Sequence, residues 1–304
     1  MQPKNKETAV RSLQTEAGIN FSLAAILPVL LSFVVVMLFQ AFAGKEYAAT
    51  NAYRYTAYLL PQICFAASAF VFFRRSGMPV RKVYHKANWK YFVLAVSLSF
   101  GLFSLSELNN LFIGIFEWMG YTSGAASHLP EVSGWYIVPA LFVIAVLPAI
   151  FEETVFRGIQ VGVMRQEGWG TAATVLISGA LFALFHGNPE QTIYQFACGA
   201  CYALLAVRSG SVFPTMLAHF LNNAAVIVLF ACGVADFPTV AKPYIYAIAG
   251  VVLITVLTYL IFWDNRNAEV GGVRGGKKFF LAAGVGIAIC AVEWVAVLIQ
   301  GFAL

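Results

Sequence analysis

Two adjacent glutamates, Glu152 and Glu153, close an apolar run from Trp135 to Phe151. A carboxylate inside a membrane segment costs at least ~2.5–3.5 kcal/mol on insertion scales, so an ionisable residue there is by default a functional candidate. The stretch Glu152-Glu153-Thr-Val-Phe-Arg157 has helical spacing. Glu153 and Arg157 stand at i and i+4 on one face and can pair, which in a low dielectric would keep Glu153 ionised. Glu152 points about 100° away around the helix and has no local partner. The plainer reading is that both acids mark a helix end at the membrane surface.

Two other segments bring polar groups of the right kind. Gly179-Ala-Leu-Phe182-Ala-Leu-Phe185 ends in His186, followed by Gly187-Asn188-Pro189. The turn Gly168-Trp169-Gly170 makes the flanking spans a hairpin, and residues 152 and 186 are equidistant from position 169, so they are expected at similar depth. Further on, His219 and Asn223 are again i and i+4 and present an imidazole and an amide to one point. Asn222 reads as interhelical hydrogen-bond glue, worth only ~0.6–2 kcal/mol. A carboxylate and an imidazole converging on a water can deprotonate it. A second imidazole and a carboxamide can donate to the oxyanion that forms. Alternatively, Glu152, His186 and His219 are the ligand set of a catalytic zinc, a divalent metal with an open water position. Both routes end in hydrolysis of an amide. Neither Gly-x-Ser-x-Gly nor His-Glu-x-x-His occurs in the chain, which excludes the local versions of those mechanisms.

These residues need helices in a bilayer to hold them. Of 304 residues, 60% are hydrophobic and 11% charged, and the mean hydropathy is +0.78; a soluble domain carries roughly 25% charged residues. Continuous apolar runs of about 20 residues suit membrane helices, whereas outer-membrane strands alternate. The chain reads as an all-α polytopic membrane protein of about nine (eight to nine) spans: 21–42, 56–73, 89–116, 135–157, 171–187, 191–207, 213–233, 243–263 and 279–302. Residues 1–20 read as a cytoplasmic leader, 21–134 as three N-terminal spans, 135–233 as a catalytic core of four, and 234–304 as two trailing spans. The first span is too long for a cleaved signal segment and reads as an anchor.

Charge sets the expected orientation. Of 19 Lys and Arg, Arg157 lies within a span and Lys45, Arg54 and Lys242 fall on one side. All the others fall on the opposite side, which the positive-inside rule makes cytoplasmic, with the N-terminus inside. The formal charge of +5 is then a topology signal and an affinity for membrane lipids, and it implies no nucleic acid. The five cysteines all lie in spans, and Cys198-Gly-Ala-Cys201 reads as small-residue packing rather than a redox motif. One depth problem arises: His219 is nine residues from its turn near Ser209, against about seventeen for His186, a mismatch on the order of 12 Å. Either 158–170 projects below the membrane, or the Gly187–Gln191 turn is re-entrant and lines a cavity.

Glu-Glu-x-x-x-Arg at 152–157, Phe-x-x-x-His at 182–186 and His-x-x-x-Asn at 219–223 resemble the three signature motifs of the CPBP (CAAX-processing and bacteriocin-processing, or Abi) intramembrane peptidases. The resemblance covers about 135–230. It implies an endopeptidase in which Glu152 with His186 activates water and His219 with Asn223 forms the oxyanion hole. Glu153, Arg157 and Phe182 would support the site. It implies a peptide or protein substrate of the membrane, which in one branch is lipidated, and with its short loops the chain looks more like the bacterial branch, in a cytoplasmic membrane. A metal-dependent and a metal-free mechanism both fit the motifs, and Asn223 suits an oxyanion donor better than a ligand. The rival classes are a transporter or channel and a non-catalytic scaffold. For transport, Glu107, Asn109, Asn110 and Glu293 would have to extend the polar cluster into a trail across the membrane; cavity lining or interface placement is the simpler expectation.

Overall fold

The computed structural model describes residues 12–122, 129–234, 240–266 and 275–303. Lys4, Lys6, Arg11, Arg274 and the first half of the leader lie outside them. The described residues form helices α1 (Leu13–Ala43), α2 (Asn51–Ser76), α3 (Trp89–Leu102) and α4 (Leu105–Trp118). The long helical run α5 (Gly134–Gln166) follows, then α6 (Thr171–Phe185), α7 (Thr192–Ser209), α8 (Phe213–Ala231), α9 (Lys242–Trp263) and α10 (Lys277–Ala303). Local chemistry sets several ends. Thr50 accepts from Tyr53 N at 3.3 Å and Asn88 from Lys90 N at 3.1 Å, capping the starts of α2 and α3. Gly77 and Gly210, with φ of 67° and 65°, end α2 and α7 in the left-handed conformation that glycine adopts freely.

Every expected span has its helix, but the details differ. Among the described residues, seven helical runs are long and apolar enough to cross a membrane. The helix at 171–185 has only 15 residues, a rise of about 22 Å against a hydrocarbon core of about 30 Å, and α7, diluted by Gln195 and Arg208, is not among the seven. The expected single span 89–116 is two helices, α3 and α4, broken at Phe103–Ser104, where the Ser104 hydroxyl bonds Gly101 O at 2.7 Å. The first helix starts at Leu13, eight residues before the expected span. Its polar first turns are packed, not free: Gln14 Nε2 donates to Glu167 at 3.1 Å, and Arg75 pairs with Glu16 at 2.7 Å.

These contacts, with Lys90–Asp264 at 2.8 Å and Arg208 Nε donating to Leu260 O at 2.7 Å, gather the turns after α2, α5, α7 and α9 at the end where α1 begins. The other end is joined by Arg54 to Leu129 O at 3.0 Å and by Thr122 N to Gly301 O at 2.8 Å. Successive spans therefore run antiparallel if α3 and α4 count as one. Outward faces are apolar, with Phe33, Val251 and Leu281 exposed, as a hydrocarbon solvent requires. Between helices, small residues permit close approach. A Cβ on Gly286 would meet Ser22 Cα at 2.7 Å, where α1 crosses α10, and one on Gly199 would meet Gly179 Cα at 3.0 Å, where α6 crosses α7.

Candidate active site

The helix that carries the paired glutamates is not a uniform α-helix. Residues Leu141–Val146 and Thr154–Val161 of α5 wind in wider turns with i→i+5 bonding, a form that often marks functional sites. Pro148 contributes to the irregularity because it has no N–H for the carbonyl four residues earlier. That carbonyl, Ile144 O, accepts from Asn223 Nδ2 at 3.0 Å. The amide has a second N–H, and Asn223 lines the central cavity.

The cavity, about 670 Å³, lies among α2, α4, α5, α6, α7 and α8, and Glu152, His186, His219, Asn222 and Asn223 all face it. All three motifs therefore meet at one cavity. The hairpin expectation is met insofar as Glu152 and His186 share it. The shortness of α6 favours the re-entrant alternative for the Gly187–Gln191 turn, since His186 is reached before the helix has crossed the bilayer thickness.

Glu153 and Arg157 are fully buried and pair at 2.8 Å through Oε1 and Nη1. The same carboxylate oxygen also accepts from His219 Nδ1 at 2.9 Å, a partner that helical spacing does not reveal because it comes from 66 residues away. A carboxylate only accepts, so His219 Nδ1 carries the proton and Nε2 is turned toward Glu152. Glu152 Oε2 stands 4.0 Å from that Nε2, too far for a direct hydrogen bond and right for one bridging water. His186 is oriented in the same way: Nδ1 bonds Phe182 O at 2.7 Å. A carbonyl only accepts, so Nδ1 is again the protonated atom and Nε2 is the available one.

The support runs deeper than one ion pair. Arg157 Nη2 donates to Gly199 O at 3.1 Å, a carbonyl within reach because Gly179 and Gly199 let α6 and α7 close up. The guanidinium lies 4.2 Å from the centroid of Phe182 and 5.3 Å from that of Tyr202. Tyr202 in turn stacks on His219 at 5.7 Å. Phe182 thus touches both Arg157 and the His186 ring, 4.5 Å away.

Glu152, unpaired by any residue of its own helix, accepts from Gln62 Nε2 at 3.0 Å. Sequence reasoning missed Gln62. The only available signal was a carboxamide following Pro61 in the otherwise apolar second span. Asn222 accepts from Tyr194 OH at 3.1 Å, as expected of an interhelical bond. Asn109 and Asn110 line the cavity, as the simpler expectation had it. Glu107 instead pairs with Lys242 at 2.9 Å, and Glu293 lies on a separate cavity of about 270 Å³ between α1, α2 and α10. The cysteines are all free thiols.

The ligand set considered for zinc does not form a metal cage: among the described residues, no three His, Cys, Asp or Glu side chains are spaced to hold one ion. What the arrangement does offer is one carboxylate and two imidazole Nε2 edges at a cavity wall, each held from behind.

Residues 134–225 match the family model described as Type II CAAX prenyl endopeptidase Rce1-like. No curated protein and no solved structure matches the chain. The matched segment contains Glu152, Glu153, Arg157, Phe182, His186, His219 and Asn223, and it supports a CAAX-type membrane endopeptidase. The motif resemblance and the family match coincide on this segment, 92 of the 304 residues, and together they support a CPBP-type membrane peptidase.

Proposed function

We propose that the chain hydrolyses a peptide bond of a membrane-associated protein or peptide, with Glu152 as general base. The observation that supports this most directly is the placement of Glu152 opposite His219 Nε2 at 4.0 Å, with Glu153 fixing the far side of that ring. A water between them, or between Glu152 and His186 Nε2, loses a proton to Glu152 as its oxygen attacks the scissile carbonyl carbon. The carbonyl oxygen becomes an oxyanion. The second N–H of Asn223 donates to it, joined by His219 Nε2 when that ring carries a proton on both nitrogens. When the tetrahedral centre collapses, the C–N bond breaks and Glu152 returns its proton to the leaving amine.

No step is assigned to a metal. Gln62 holds Glu152 Oε1, leaving Oε2 toward the cavity. Glu153, Arg157 and Phe182 act through the rings they hold. The polar groups converge on one space, a pattern that suits a reaction centre better than a transport path. A cytoplasmic N-terminus is part of this reading, and its support is the positive-inside rule: the helix ends and turns at the α1-start end hold Arg74, Arg81, Lys82, Lys86, Arg165, Lys277 and Lys278.

The test is cleavage of membrane-proximal peptides, lipidated and unlipidated, by reconstituted protein. Glu152→Gln keeps an acceptor for Gln62 and is expected to fold while losing 10²–10⁴-fold in rate, roughly the worth of a positioned acid–base group. Cleavage at the wild-type rate by this variant would remove Glu152 from the mechanism.

A further inference from the structure

Between α2 and α3 the chain runs in a short strap, residues 79–88, at the end of the bundle where α1 begins, containing one 3₁₀ turn at Val80–Lys82. Its outer side is cationic. Arg81, Lys82 and Lys86 are exposed and make no ion pair or side-chain hydrogen bond among the described residues. Val80 and Trp89 flank them, 50% and 74% exposed, an apolar and an aromatic group where a bilayer meets water.

The inner side of the strap is fastened to two of the helices that hold the candidate site, the ones that carry Glu152 and His219. Val83 is buried against Gly158 of α5, where any Cβ would collide with its Cγ1. The Tyr84 hydroxyl and Thr154 Oγ1 share a hydrogen bond of 2.6 Å, one residue after Glu153. The Tyr84 ring lies 5.8 Å from that of Phe213 in the first turn of α8, and Ser211, just before α8, donates to His85 O. A displacement of the strap therefore bears on the position of Glu152 and of His219 together.

We propose that the strap is a binding surface for anionic phospholipid headgroups, and that their binding seats it against α5 and α8 and raises the activity of the site. Unpaired cations at the membrane surface attract acidic lipid, by about fivefold for each near the headgroups. The occupant is a lipid rather than a soluble anion, because the cations stand between Val80 and Trp89 and at the ends of two membrane helices. The effect on rate rests on the peptidase reading, whereas the lipid binding does not.

The full chain is purified in detergent, equilibrated with equal phosphatidylcholine and phosphatidylglycerol, and its retained lipid measured by native mass spectrometry. Wild type is expected to retain phosphatidylglycerol at least about fivefold over phosphatidylcholine, and inorganic phosphate not to displace it. Arg81→Gln/Lys82→Gln/Lys86→Gln is expected to lose most of that preference and Arg81→Lys to keep it. An unchanged preference in the triple variant, or displacement by phosphate, overturns the lipid site. In vesicles, wild type is expected to cleave peptide several-fold faster with phosphatidylglycerol than in phosphatidylcholine alone. Tyr84→Phe should keep the lipid preference and lose that acceleration; a full acceleration in Tyr84→Phe overturns the coupling.

Discussion

Glu153 donates nothing and accepts twice through one oxygen, from Arg157 and from His219. Removing its charge strands a fully buried guanidinium, and breaking a buried pair in this way typically costs about 3–5 kcal/mol. Glu153→Gln is therefore expected to lower the midpoint of thermal unfolding in detergent as well as activity, whereas Glu152→Gln lowers activity alone. Equal stability of the two variants would contradict this division. The sequence anticipated the Glu153–Arg157 ion pair through its i,i+4 spacing. It understated Glu153, because the bond to His219 joins α5 to α8 and no helical periodicity reports a contact between helices. Gln62 was hidden for the same reason: one amide in an apolar span carries no pattern until its neighbour across the interface is known.

At the scale of elements, the crossing of α6 and α7 depends on the absence of side chains at Gly179 and Gly199. A Cβ on Gly199 would sit 3.0 Å from Phe182 Cβ and 3.0 Å from Gly179 Cα. Overpacking of this kind costs about 1–3 kcal/mol. Gly199→Ala should separate the two helices, withdraw the Gly199 carbonyl from Arg157 and reduce activity with only a moderate loss of stability. A wild-type rate together with a wild-type unfolding midpoint would rule out the tight crossing. Hydropathy located every helix but missed the break between α3 and α4, since Phe103-Ser104 is no less apolar than its surroundings. It also overextended α6, because His186 and Gly187 follow an apolar run without a charge to mark its end.

For the whole molecule, the end with the cationic turns is held by polar ties outside the hydrocarbon. Asp264, just beyond α9, is buried, which by itself raises its pKa; hydrogen bonds from Lys90 and Tyr91 outweigh this and hold it below the usual aspartate range. A carboxyl depressed in the folded state stabilises the fold above its unfolded pKa, and the contribution disappears as pH falls through the lower, folded value. Acid unfolding should therefore show a component at pH below the ordinary aspartate range, and Asp264→Asn should be less stable at neutral pH and lack that component. An identical acid profile in the variant would exclude this tie. Activity is expected to persist after exhaustive chelation, measured by peptide cleavage with metal content checked in parallel; loss on chelation with recovery on zinc would require the ligand set to close up around an ion.

The wide turns of α5 have a consequence for how this sequence can change. Each i→i+5 turn accommodates one residue more than a regular turn, so the helix carries what amounts to an insertion before Glu152 and another after it. Deleting a single residue within Leu141–Val146 would let that stretch rewind as a regular turn and leave what lies beyond it facing as before, whereas a deletion in the regular turn Leu147–Phe151 would rotate everything beyond it by about 100° relative to the start of the helix. After the second kind of deletion Glu152 would keep its chemistry and would face a different wall of the bundle. The wide turn can thus lose a residue without cost to the aim of the carboxylate, and the regular turn that follows it cannot, a constraint on spacing that holds whichever side chains fill it.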